Sequence, residues 1–142
     1  MSDTLYNTAI LRLAAAPASS RLADPQASVV RVSPVCGSRV TVDLDLDDTG
    51  RVAAFGQEVR ACALGQAAAA LLDAHVVGRS GDELTTARDD LAAYLKGDRE
   101  TPGDWPGLEI FAPARPHKAR HASILLAFDA AVAAHAAAKI SA

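Results

Sequence analysis

The stretch RVTVDLDLD at residues 39–47 alternates apolar and polar side chains without a break. Successive side chains of a β-strand point to opposite faces, so this period of two predicts a strand. Val40, Val42, Leu44 and Leu46 fall on one face, and Thr41, Asp43, Asp45 and Asp47 on the other. That pattern predicts one buried and one solvated face. DDTG at 47–50 then predicts a turn, with Gly50 free to take a positive φ. RVAAFGQEVR supplies the second arm of a hairpin, and the short β-branched ASVVRVS at 27–33 a further strand.

Helical periods flank these strands. Leu5, Ala9, Leu13 and Ala16, joined by Ile10, make a stripe over 4–16 that Pro17 stops. Residues 17–26 read as a loop. From Cys62, CALGQAAAALLDAHVV predicts a helix ending at Gly78. Ser80 and Glu83 have the spacing of a capping box, opening a helix that carries Leu84, Ala87, Leu91 and Leu95 to Gly97. After a loop at 98–107, a last helix over 115–138 would carry His121, Leu125, Phe128 and Val132 on one stripe. Strands followed by helices in a short chain predict an α+β fold: a three-stranded antiparallel sheet with helices packed on one face, one domain over residues 1–142.

The chain is 50% apolar but only 4% aromatic, so its core must rest on Ala, Leu and Val. A net charge of −3 without a basic stripe argues against nucleic acid as the main partner. No signal peptide and no apolar run of membrane-spanning length is evident, and two cysteines make no disulfide framework. The expectation is a cytoplasmic protein with reduced thiols and no membrane partner.

The candidate chemistry rests on few residues. Cys62 stands where a strand gives way to a helix, where free backbone N–H groups favour a thiolate. Cys36 precedes strand 39–47, so hairpin pairing brings both cysteines to one end of the sheet; two inert buried thiols are the equal alternative. His117 and His121 are placed to share a helix face, without the Glu of an H-E-x-x-H zinc motif. His117 reads as a solvated helix-start residue, His121 as facing the core or a pocket, and His75 and His135 as structural. Starting an EF-hand loop at Asp45 puts Gly56 where a bidentate Glu is required, so the acidic run reads as a solvated strand face. No catalytic triad, P-loop or dinucleotide fingerprint is present.

Four segments in order carry a resemblance. SPVCG at 33–37 is similar to the N-P-x-C-G-D first-cysteine motif of the iron–sulfur cluster assembly scaffold family, the IscU, SufU and NifU N-terminal type. AAFGQEVRACALGQAAAALL at 53–72 resembles its second-cysteine segment, GRSGDEL at 78–84 its G-K-S-x-D-E segment, and RHASILLAFDA at 120–130 the start of its final helix. The resemblance implies a SufE/NifU-like fold and a site for zinc or a transient [2Fe–2S] cluster. By the same resemblance Cys36, Cys62 and His121 are the ligands, and a cysteine desulfurase and cluster-accepting apoproteins the partners. The family aspartate falls on Ser38. The third cysteine falls on Ala122 if His121 is the anchor, or on Ser123 if LAF is aligned. RPHKAR stands in place of the chaperone-recognised P-P-V-K segment. The resemblance implies a divergent scaffold or carrier, not an enzyme. A metal-free regulatory module and a zinc-dependent sulfur acceptor are the alternatives.

Overall fold

The computed structural model describes residues 6–16, 19–34 and 37–141. Helix α1 (Thr8–Ala14) is followed by strands β1 (Ala27–Val32), β2 (Arg39–Leu46) and β3 (Val52–Arg60), then helices α2 (Ala63–His75) and α3 (Gly81–Lys96). Two 3-10 helices, Leu108–Ala114 and Lys118–Arg120, lead into α4 (His121–Ser141). The sheet has the order β1-β2-β3 and is antiparallel throughout. This is the expected α+β architecture, a three-stranded sheet with the helices on one face.

Val40, Val42 and Leu44 of the central strand are at most 1% exposed beneath the helices, as the alternation predicts. The opposite face departs from expectation. Asp43 is fully buried and Thr41 nearly so. The segment 19–26 lies across this face: Gln57 N–H donates to Ser19 O, and Ser19 is anchored on Asp73 of α2. Arg21 Nε donates to Asp43 Oδ2 at 2.6 Å, and the Leu22 N–H to the same oxygen at 3.0 Å. A buried carboxylate is tolerable because it is paired and hydrogen-bonded. The acidic run is therefore not a uniformly solvated face. Gly56 permits the crossing, since a Cβ there would lie 2.2 Å from Ser20 O.

The helices also differ in detail from the expected stripes. Asn7 caps α1 by accepting from the Ile10 N–H, and Ile10 is its buried residue, while Ala9 and Ala16 are exposed; Leu5 lies outside the described residues. The Ser80–Glu83 capping box is present, and Leu84, Ala87, Leu91 and Leu95 are buried as predicted. Trp105 and Phe111, from the connection between α3 and α4, fill the core with Phe128. The last helix starts at His121 rather than 115, because Pro113 and Pro116 interrupt the pattern and leave two 3-10 turns. His121, Leu125 and Val132 are only half-buried, and the buried line runs through Ile124, Ala127, Phe128, Ala131 and Ala134. With nearly every position apolar, the 3.6 period could not locate that line. Lys118–Lys139 is, contrary to expectation, long and apolar enough to cross a membrane by length and composition. Over half of its most apolar stretch is buried within the fold.

Asp43 generates the first prediction. Burial raises its pKa, but Arg21, Ser28 and the Leu22 N–H outweigh that and hold it below the usual carboxylate range. A carboxyl depressed in the folded state stabilises the fold above its unfolded value, about 4, and that contribution is lost as pH falls through the folded value. Urea midpoints should fall on acidification below about pH 4. Asp43→Asn should be less stable at neutral pH and show a flatter acid dependence. Gly56→Ala should destabilise by about 1–3 kcal/mol in the same assay, because the contact is with backbone.

Candidate functional site

The end of β3 and the start of β2 meet in register, Arg60 opposite Arg39. This places Ala61–Cys62 beside Ser38 at one end of the sheet. Cys62 is the N-cap residue of α2, in extended conformation, and its side chain caps nothing. Its Sγ lies 3.3 Å from Ser123 Oγ, and Ser123 Oγ lies 3.3 Å from Ser38 Oγ. Ser38 and Ser123 are 3% and 2% exposed, while Cys62 is half-buried and packs against the core. The three side chains thus make a short polar chain that ends at the half-buried Cys62.

Local sequence explains how they converge. The connection from β1 to β2 is closed by Ser33 N–H donating to Ser38 O and Gly37 N–H to Ser33 O, both at 2.8 Å. Cys36 belongs to this connection but lies outside the described residues. On the other side, Ser123 stands in the first turn of α4 and packs on Gly65 of α2. A Cβ on Gly65 would lie 2.7 Å from Ala61 Cβ and 2.8 Å from Ser123 Oγ. Small residues here let α4 reach the N-terminus of α2. Ala122 is exposed. Of the two registers open in sequence, the one on LAF puts its residue, Ser123, against Cys62.

The histidines part company. His117 is exposed and precedes a 3-10 turn, so it does not share an α-helical face with His121. His121 is half-buried, and its Nε2 lies 2.9 Å from Ala114 O and 3.1 Å from Arg115 O. Carbonyls only accept, so Nε2 carries the proton and Nδ1 is the nitrogen left for a ligand. Arg115 steadies this segment by donating to Tyr94 O and Arg99 O, with its guanidinium over the Tyr94 ring. His75 packs edge-on to Trp105, and the buried His135 bonds through Nε2 to Gly50 O at 2.7 Å.

Among the described residues no three His, Cys, Asp or Glu side chains gather in a group able to hold a metal ion. Ser38 and Ser123 stay protonated near neutral pH and are weak ligands, but each can donate a hydrogen bond to an anionic sulfur. A resident four-coordinate metal does not fit these residues alone. Sequence reasoning marked Cys62 correctly as a helix-start thiol; it did not show that Gly65 is what seats Ser123 upon it. Gly65→Ala should destabilise by about 1–3 kcal/mol in chemical denaturation and alter the alkylation rate of Cys62, because Ser123 must move away.

No protein-family model matches the sequence, and no curated protein does. Solved structures do. The crystal structure of a nitrogen-fixing NifU-like protein (N-terminal) from Brucella abortus is 40% identical, with TM-score 0.91 over 99% of this chain and 98% of that one. A putative iron–sulfur cluster assembly scaffold protein for the SUF system from Fervidobacterium islandicum AW-1 is 15% identical and similar in fold, with TM-score 0.86 over 95% and 99% of the two chains. At that level of identity and coverage with the Brucella protein, the chain belongs to the NifU-like N-terminal family, the iron–sulfur scaffold family its four motifs resemble.

Proposed function

We propose that this protein is a two-thiolate iron–sulfur cluster scaffold or carrier, acting as one domain in the cytoplasm. Its cargo is a transient [2Fe–2S] cluster, or the iron and sulfide that form one. The observation that supports this most is the convergence of Cys62, Ser38 and Ser123 in one cluster, beside the connection that contains Cys36. The family motifs mark Cys36, Ser38 and Cys62, and mark Ser123 in the register aligned on LAF. Cys36 and Cys62 supply thiolates, and His121 can add Nδ1. Clusters of this kind take four ligands, mostly thiolates. Two serines in ligand positions leave part of the coordination to be completed from outside, by a second copy or a small thiol. Cargo held in this way is easily passed on. Sulfur would come from a cysteine desulfurase, and the cluster would go to acceptor apoproteins.

The Ser38–Ser123 bond favours one other reading. It satisfies both hydroxyls internally, as a site without metal would. The protein would then be a metal-free module that binds and regulates the assembly machinery.

Iron, zinc and acid-labile sulfide bound to protein purified without air decide between them. Incubation with iron, sulfide and a thiol reductant should give a coloured protein with iron and sulfide in equal amounts. Cys36→Ser and Cys62→Ser should each abolish that loading while leaving the fold intact by circular dichroism. A folded wild-type protein that takes up neither iron nor sulfide would overturn the scaffold reading and leave the regulatory one.

A further inference from the structure

Positive charge gathers beside the thiol although the chain as a whole carries −3. Arg39 follows Ser38, Arg60 stands two residues before Cys62, and the two are cross-strand partners. Val32 is the partner of Arg39 on the other side. Val32, Arg39 and Arg60 therefore form one row across the three strands, on the face away from the helices. Val30, Thr41 and Glu58 form the next row. Val30 and Val32 are 40% and 55% exposed, large apolar side chains left in water. Arg21 reaches over from the crossing segment and completes a cleft of about 330 Å³.

Like charges directly opposite on adjacent strands destabilise a sheet. Glu58 relieves this in part, 3.4 Å from Arg60 and 3.6 Å from Arg21, and Asp43 lies buried beneath Arg21. Arg39 has no ion-pair partner among the described residues. Neither do Lys118 and Arg120, which lead into the turn of α4 that carries Ser123. The sheet end beside Cys62 thus presents Arg39 and Arg60 as cross-strand neighbours, with Glu58 paired to Arg60.

We infer that the Val32–Arg39–Arg60 row docks an acidic segment of the protein that delivers sulfur to Cys62. The inference rests on the scaffold reading and adds the chemistry of recognition. Guanidinium groups pair bidentately with carboxylates, and the exposed valines offer the apolar contact that a protein surface can return. A nucleic acid fits less well: among the described residues the face has no aromatic side chain for base stacking, and Glu58 would repel phosphate. Charge at this place would steer the partner toward the thiol before any covalent contact forms.

Binding of the whole protein to a purified cysteine desulfurase, followed by biolayer interferometry at several salt concentrations, tests this. The wild-type affinity should fall as salt rises. Arg39→Glu with Arg60→Glu should weaken it at least about tenfold. Arg39→Gln with Arg60→Gln should give an intermediate loss, and serves if the reversal variant does not fold. Unchanged affinity in a folded variant, or no desulfurase binding by the wild type, would overturn the inference. So would variants that lose binding to a uridine oligonucleotide while keeping the desulfurase. Iron and sulfide loading of the same variants reports separately on the scaffold reading. Loading retained with docking lost supports the inference, and a wild type that cannot be loaded fails the reading beneath it.

Discussion

The distance at which α4 lies from α2 and the sheet governs the rest of the molecule. That distance is set by small side chains. Ala67, Ala68 and Ala69 on α2 and Ala127, Ala130, Ala131, Ala134 and Ala138 on α4 are at most 2% exposed. Alanine adds little side-chain entropy cost on burial and keeps the helix surface low, so neighbouring backbones approach closely. Where the approach is tightest even alanine is too large, and Gly65 receives Ser123. The same contact that completes the core therefore builds the polar site. Larger residues, Trp105 with Phe128 at 5.4 Å, fill the wider space farther along the helices.

The sheet has a second constraint on its other face. Arg21 and Leu22 bring the 19–26 segment onto Asp43, so the central strand is shielded on both sides around its middle. Toward its ends the strand is less covered: Arg39 is exposed, and Asp45 and Leu46 are partly buried. The exposed Arg39 and the half-buried Cys62 therefore lie at the same end of the sheet.

Much of this was legible in the sequence, because some signals are strictly local. The alternation of 39–47 gives the strand, and the Ser80–Glu83 spacing gives a helix start, since both depend on neighbours along the chain. The burial of Asp43 does not; it depends on residues some twenty positions earlier, whose Ala, Ser and Pro content reads only as loop. The boundary of α4 was misplaced because Pro113 and Pro116 allow 3-10 turns that keep an apolar pattern without an α-helical period. For the site, the helix-start position of Cys62 and the meeting of the two strand ends followed from pairing rules. The choice between Ala122 and Ser123 did not, because adjacent residues of one helix turn differ in facing by an angle that motif alignment cannot resolve. Nor could sequence show that the His121 Nε2 is occupied by two carbonyl groups.

Under the proposed scaffold role, Ser38 and Ser123 stand in ligand positions and weaken the hold on the cargo. The most direct measurement is the lifetime of a reconstituted cluster in wild type and in the Ser38→Asp, Ser123→Cys double variant, followed by visible absorbance without air after removal of excess thiol. Partners one layer outside a metal site already change affinity about 10–100-fold, so two restored ligands should lengthen the lifetime at least about tenfold. A folded double variant that holds its cluster no longer than wild type, or takes up none, would contradict the placement of Ser38 and Ser123 in that site.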